Sequence, residues 1–396
     1  MSVTRPLLLA ACALAATAAD PRAAVAKRLP VVSIETGARI VDEPKRSARM
    51  RIRSRGRTVF RGHVGIEIRG QASQRFAKKP YGFETRTKAG GNRSVKLLGM
   101  PKGNDWILAA AHTDPSLMRD VLAYRTARRL GRYASRTRHV TLRLDGDGRG
   151  VYILMEQPRR DRERVDSDAL LELTAAAKLD RGDRAFGLPA TGLVARVIDV
   201  SKRGRTADVG AAAQAFERTL YGGGPWRELL DVPAAIDYVL VQELFKNQDA
   251  FLSSTYVHRG QDLRLRMGPV WDFDLSAGSV SVGEFASAEG WLLTDRPWAE
   301  RFYRAPDFVA AMRARWTQLR RDGLVEDLLA AAGREGRTLR GPAAANHRRW
   351  RILGRALFAG QPVVSSHAAA VSALRDWLQR RATWMDTALP TLRPPA

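Results

Sequence analysis

Two aspartates, Asp272 and Asp274, stand on either side of a phenylalanine in the run VWDFDL at 270–275. Alternate residues of an extended chain share one side, so this spacing predicts that both carboxylates face the same way. Burying carboxylates without partners is strongly unfavourable, and Mg²⁺ is often held by one or two carboxylates together with phosphate oxygens. The pattern therefore indicates a metal site. The alternative is a pair of structural carboxylates bonded to arginines or to backbone N–H groups.

A third acid, Asp249, follows the apolar helix predicted over 232–247 and precedes Asp272 by 23 residues. A hairpin predicted over 255–267 separates the two acids and would bring them together. Asp249 would there accept a proton from a hydroxyl substrate or hold a second metal ion. The alternative is a structural acid at the end of a helix.

A basic loop at 69–81 is the third candidate element. A glycine at a hairpin tip lets backbone N–H groups approach a phosphate, and a lysine on the returning strand can reach the phosphate oxygens. The alternative is a solvated basic loop. The candidate phosphate-binding residues are Arg69, Gly70, Ser73, Lys78 and Lys79.

The candidate residues lie in two stretches of the chain that predict different secondary structure. Residues 27–160 are rich in period-two alternation and predict a β-rich N-terminal lobe with one helix, from 114 to 130. Residues 161–390 predict a helix-rich C-terminal lobe, in which the polar stretch 161–224 is an insertion or a flexible segment. Together the two lobes predict an α+β fold.

The formal net charge is +25 at pH 7. A charge of this size attracts anions such as nucleotides, acidic proteins or anionic envelope polymers, although an arginine-rich composition is also what a GC-rich genome encodes. The basic residues form no stripe with interleaved aromatics, which argues against specific nucleic-acid binding. The chain has no Walker loop, His-Glu-x-x-His motif or Gly-x-Ser-x-Gly elbow, which argues against the enzyme classes that those motifs mark.

Residues 1–26 have the pattern of an export signal, with a positive residue, an apolar stretch and Ala-x-Ala-like cleavage sites. The single cysteine, Cys12, lies in this stretch within a sequence like a lipoprotein box, so lipidation is an alternative to ordinary cleavage. Ordinary cleavage would leave no cysteine, which excludes disulfides and thiolate zinc sites. No later segment approaches ~18 uninterrupted apolar residues, so we expect no transmembrane span in the mature chain.

Six blocks of sequence occur in an order that resembles the CotH-type kinases, a family first named for spore-coat proteins. The resemblance covers about residues 30–390, and its specificity comes from the order of the blocks. The blocks are RGQAS with KKPY at 69–81, LLGM with NDWIL at 97–108, DPSLMRD with AY at 114–124, VYILMEQ at 151–157, ELFKNQD at 243–249 and GPVWDFD at 268–274.

The resemblance implies an atypical, bilobed protein-kinase-like fold and an enzyme that uses ATP with Mg²⁺ or Mn²⁺ to phosphorylate protein hydroxyls. It places Lys79, or Lys78, on the ATP phosphates and Asp272 on the metal ion. Asp249 matches the family's other functional acid, and Asp274 matches the second acid of the metal motif.

Further assignments also rest on this resemblance. Glu156 and Gln157 lie where a kinase hinge would meet adenine, and Arg119 would lie near the phosphates. Ser254 stands where many members have a metal-binding asparagine, so a second metal ion with Ser254 as ligand is left open. The alternatives to an active protein kinase are a weak or inactive kinase-like envelope scaffold, and a phosphoryl or nucleotidyl transferase acting on a non-protein acceptor.

Overall fold

The computed structural model describes residues 28–201 and 205–393. The predicted export signal at 1–26, with Cys12, lies outside the described residues. The described chain forms a closed β-barrel, then a five-stranded sheet, then a set of helices. None of the helices in the described ranges is long and apolar enough to cross a bilayer.

The barrel has seven strands in the order β1-β2-β3-β4-β5-β7-β6. Its pairs are antiparallel except for β1 and β6, which run parallel and close the barrel. The strands are β1 (Val31–Glu35), β2 (Arg46–Ser54), β3 (Arg57–Ile68), β4 (Tyr81–Arg86), β5 (Asp105–Ala109), β6 (Thr137–Leu144) and β7 (Asp147–Glu156).

Strict alternation in the sequence builds the barrel wall. In β2, the residues Ala48, Met50 and Ile52 are buried while their neighbours are exposed. Inward-facing residues of all seven strands, Trp106 among them, form a core of their own. Burial of one face of β2 fixes its register, because a shift of one residue would turn its apolar side chains outward.

The second sheet has the order β12-β11-β8-β10-β9. Its central strand, β8, pairs with β11 through Thr255 opposite Leu173 and with β10 through Ala195 opposite Leu173. The strands are β8 (Ala169–Thr174), β9 (Ala185–Leu188), β10 (Leu193–Val200), β11 (Thr255–Arg259) and β12 (Leu265–Met267).

The helices share one large core with this sheet. The most buried of them, α3, is capped at its start by Asp231, which accepts the Ala234 N–H at 2.9 Å, and it ends at Lys246 in a left-handed conformation. The helices are α1 (Arg119–Arg129), α2 (Thr206–Tyr221), α3 (Val232–Phe245), α4 (Ala299–Tyr303), α5 (Pro306–Arg321), α6 (Leu324–Trp350) and α7 (His367–Thr391).

The predicted α+β class is confirmed, since strands and helices both form the core. The closed barrel was not predicted, and the bilobed kinase-like arrangement stays a prediction, as do the lobe boundaries at 27–160 and 161–390. The stretch 161–224 is not an insertion, because it supplies the central strand of the second sheet. The helix expected from 114 begins at Arg119, because the Asp114 carboxylate first accepts the N–H groups of Ser116 and Met118 in a turn.

Candidate functional site

A cavity of about 150 Å³ lies between the barrel and the segment 271–274. Its barrel side is partly basic, its far side is acidic, and apolar side chains complete the wall. The residues that line it include Arg69, Gly70, Ser73, Lys78, Ile107, Met155, Asp120, Tyr124, Trp271, Asp272 and Asp274. The basic loop and the paired aspartates, which are distant in sequence, therefore meet at one site.

Lys78 is the lysine that faces the cavity. Its side chain is only 1% exposed, and its ammonium donates to the carbonyl oxygens of Ala110 at 2.6 Å and Val151 at 2.5 Å. Burial holds the pKa of Lys78 well below its ordinary range. Lys79 points elsewhere and donates to the Gln74 carbonyl at 2.5 Å. The sequence analysis named Lys79 first and Lys78 second as the lysine on the phosphates, and of the two it is Lys78 that lines the cavity.

The glycine loop before Lys78 closes this side of the cavity. Gly70 has φ +83°, and a Cβ placed there would lie 2.3 Å from the Ser73 hydroxyl oxygen. Only glycine allows both the backbone conformation and this close approach. Arg69 extends along the same wall, with its guanidinium 5.9 Å from the centre of the Trp271 ring. The loop thus presents a hydroxyl and a cation to the cavity.

The segment carrying Asp272 is held in place by α1. Asp272 has φ +62°, and its N–H donates to the Tyr124 hydroxyl at 3.2 Å. The next N–H, of Phe273, donates to the Asp120 carboxylate at 2.8 Å. The segment is irregular and not a strand, so the predicted alternation is wrong in detail. Asp272 and Asp274 nevertheless both line the cavity.

The carboxylates at this site repel one another. Burial, followed by the charges of Asp274 and Asp249, raises the pKa of Asp272 to about 8. Burial and the charge of Asp120 raise the pKa of Asp274 to about 7. Burial and the charge of Asp272 raise the pKa of Asp120 to about 7. A cation in the cavity would relieve this repulsion, and carboxylate oxygens are the ligands that Mg²⁺ and Mn²⁺ prefer.

Hydroxyl groups adjoin the same carboxylates. Ser254, with φ +50°, donates to Asp272 Oδ2 at 3.3 Å, and Thr113 donates to Asp274 Oδ2 at 2.7 Å. Within residues 28–201 and 205–393, no three His, Cys, Asp or Glu side chains form a ready metal-binding group. The donors present fit a cation that completes its coordination with substrate oxygens rather than one enclosed by protein alone.

Asp249 lies beside the cavity and is connected by hydrogen bonds, through Ser253, to Lys178, a residue that the sequence analysis did not single out. Its Oδ1 accepts from the Ser253 hydroxyl at 3.2 Å, and the Ser253 hydroxyl accepts from the Lys178 ammonium at 2.8 Å. The Lys178 carbonyl in turn accepts from Gln71 at 2.9 Å, which joins this group to the glycine loop. Lys178 lies in the supposed insertion, and nothing in its local sequence marks it.

Arg119 has a different position from the one expected. Its guanidinium pairs with Asp114 and donates to the carbonyl oxygens of Ser276 at 2.9 Å and Ala277 at 3.3 Å. It therefore ties the chain after Asp274 to α1, away from the cavity lining. The residues of α1 that line the cavity are instead the neighbouring acid, Asp120, and Tyr124 one turn further along the helix.

Glu156 and Gln157 do not line the cavity either. Glu156 is fully buried, accepts from the Arg136 N–H at 2.9 Å and pairs with Arg164 at 3.3 Å. Its carboxylate is thus committed to holding β7 to the loops beside it. The strand residue at the cavity is the preceding one, Met155.

A family model described as CotH kinase protein matches residues 66–385. The matched range contains the basic loop, Asp249 and the segment 271–274. No curated protein matches the chain.

Proposed function

Because the chain belongs to the CotH kinase family, we propose that it is an exported ATP- and divalent-metal-dependent protein kinase that transfers the γ-phosphate of ATP to protein Ser or Thr hydroxyls. The observation that carries the proposal is the single cavity in which Lys78 and the glycine loop face Asp272 and Asp274. Phosphoryl transfer requires mainly positioning and the neutralisation of charge, and these are the groups that supply both.

The nucleotide phosphates bind on the barrel side. Lys78 has three N–H donors, of which two are bonded to carbonyl oxygens. A phosphate in the cavity would give this desolvated amine an anionic partner and favour its charged form. Arg69 and the Ser73 hydroxyl extend the same surface. The apolar wall formed by Ile107 and Met155 offers a place for the base.

Asp272 and Asp274 would hold the metal ion, with the Ser254 hydroxyl as a further oxygen donor. When bound, the ion would neutralise the negative charge on the phosphate oxygens. Tyr124 and Asp120 orient the two aspartates by accepting the N–H groups of Asp272 and Phe273. This support leaves both carboxylates free to point into the cavity.

Asp249 accepts the proton of the acceptor hydroxyl. The hydrogen bond from Ser253 orients the carboxylate, and Lys178 orients Ser253. Lys178 also brings a positive charge close to Asp249, where it would favour the negative charge that develops on the transferred group.

The test is transfer of label from γ-labelled ATP with Mg²⁺ or Mn²⁺, in the wild type and in Asp272→Asn. The matched control is Asp376→Asn, which alters an exposed acid on α7. We expect label on protein with the wild type and the control, and its loss with Asp272→Asn. Equal labelling by Asp272→Asn would refute the assignment of the site. Stabilisation by ATP and metal without any label would instead identify an inactive scaffold, and label only on a non-protein polymer would identify a different acceptor.

The pattern of residues 1–26 places the protein outside the cytoplasm in this proposal. Fractionation of cells that express the full chain, compared with a chain lacking those residues, tests the location. Equal recovery of both chains in the cytoplasm would contradict export.

A further inference from the structure

One outer face of the barrel carries arginines in a regular array, which we call the arginine face. Three of its members alternate along β2 with the buried Ala48, Met50 and Ile52, so their side chains all point away from the core. The other two, Arg61 of β3 and Arg143 of β6, also point outward and lie beside the arginines of β2 on the barrel surface. The arginine face consists of Arg49, Arg51, Arg53, Arg61 and Arg143, all of which are exposed.

The register places these charges next to one another. Arg51 lies directly opposite Arg61, and on its other side it lies opposite Ser33, which is itself opposite Arg143. Like charges directly opposite each other destabilise a strand pair. The face thus has an unfavourable arrangement that an anionic partner would relieve.

No member of the arginine face has an ion pair among the described residues. Arg53 donates to the Gly56 carbonyl and Arg143 donates to the Gly146 carbonyl, each at 3.1 Å. The nearest acid by register is Glu35, which lies opposite Arg49. Some exposed arginines elsewhere on the surface do form ion pairs: Arg129 with Asp327, Arg227 with Asp307, Arg266 with Asp262 and Arg349 with Asp147.

The geometry of the face suits a linear partner. Alternate residues of a strand are ~7 Å apart, and the nine residues of β2 extend over ~30 Å. A guanidinium binds phosphate through two parallel hydrogen bonds, which a lysine cannot do. An extended chain with a phosphate in each repeat can therefore engage Arg49, Arg51 and Arg53 in succession.

Two other partners fit this face less well. Single-stranded nucleic acid is normally gripped by aromatic side chains that stack on its bases, whereas the aromatic residue of this hairpin, Phe60, packs toward the barrel core. A bilayer is normally bound through an apolar face that enters the headgroup region, and the exposed large apolar side chain here is Val59 alone among the described residues of β2 and β3.

We propose that the arginine face binds an extended polymer of repeating phosphates without bases, of which inorganic polyphosphate is the simplest example. The proposal does not depend on the kinase activity, because the members of the face do not line the cavity that contains Lys78 and Asp272. Binding there would hold the enzyme on a phosphate-rich polymer while the cavity stays accessible.

The test is the affinity for polyphosphate chains long enough to span β2, measured by titration at several salt concentrations. The test variant is R51Q/R53Q/R61Q. The matched control, R340Q/R375Q/R380Q, removes the same charge from exposed arginines of α6 and α7. We expect the test variant to lose about tenfold or more in affinity. Each phosphate contact contributes ~0.7 to the slope of log K against log salt, so the loss of three contacts should lower the magnitude of that slope by ~2. The control should bind like the wild type.

Equal loss of affinity in the two triple variants would overturn the proposal, because general net charge would then explain binding. Wild-type affinity in the test variant would also overturn it. Polyglutamate, a single-stranded oligonucleotide and anionic vesicles form the comparison arms, and equal or tighter binding of any of them to this face would assign it to another class of partner. Thermal unfolding shows whether the test variant is folded, and removal of the Arg51–Arg61 repulsion should keep its melting temperature at or above that of the wild type. The single variant R51Q provides a second, smaller perturbation with the same expected direction.

Discussion

Replacement of Gly70 by alanine separates the backbone requirement of the glycine loop from its contact with the cavity. Gly70 has φ +83°, a conformation that costs a residue with a Cβ ~1–2 kcal/mol. The new methyl group would also lie 2.3 Å from the Ser73 hydroxyl, so Ser73 must move. Gly90 has φ +89° with nothing within 4 Å of its Cβ position. Gly90→Ala therefore carries the backbone penalty alone and serves as the control.

Urea unfolding should show a similar loss of stability in Gly70→Ala and Gly90→Ala, on the order of 1 kcal/mol. The loss is smaller than the backbone penalty because alanine also lowers the entropy of the unfolded chain, which favours folding. The affinity for ATP should differ. A hydrogen bond to a charged group contributes ~1.5–3 kcal/mol, so displacement of Ser73 should weaken ATP binding on the order of 10- to 100-fold in Gly70→Ala. Titration of ATP with Mg²⁺ by thermal shift or by KM measures this difference. Unchanged ATP affinity in Gly70→Ala would refute the role of the loop in phosphate binding.

Three further predictions test the rest of the chain. Lys178→Met should lower kcat ~10- to 100-fold with little change in KM for ATP, because Asp249 loses the support that orients it; steady-state kinetics with an unchanged kcat would contradict the relay. Arg381→Met should lower the free energy of unfolding by ~3–5 kcal/mol, because it leaves the fully buried Glu243 carboxylate without its ion pair; a loss below ~1 kcal/mol in urea unfolding would show that the pair is dispensable. Burial and the charge of a neighbouring histidine lower the pKa of His347 to about 4. The folded protein therefore favours the neutral imidazole, and stability falls as the pH drops below 6.5, the pKa of histidine in the unfolded chain. From pH 7 to pH 5 this group should account for ~2 kcal/mol of lost stability, and His347→Asn should show a correspondingly shallower decline; parallel declines in the two proteins would refute this origin.

Much of the local structure could be read from the sequence because it depends on local pattern. The alternation of β2 and the apolar run of α3 each predict an element that the structure contains. The order of the motif blocks led to the family that the family model supports. The candidate acids Asp272 and Asp274 stood out because carboxylates rarely sit among bulky apolar residues, and that property is visible without a fold.

The paired aspartates, the basic loop and the family were determined by the sequence itself, since residue type and order suffice to recognise them. Which side chains enter the cavity was decided only by the tertiary structure. Neighbouring residues point to different sides, so a shift of one position separates Lys78 from Lys79 and Asp120 from Arg119. Lys178 reaches Ser253 across 75 residues because β8 and β11 pair in one sheet, and closure of the barrel depends on the parallel pairing of β1 with β6. Such long-range pairings follow from the burial of whole faces, which no local pattern specifies.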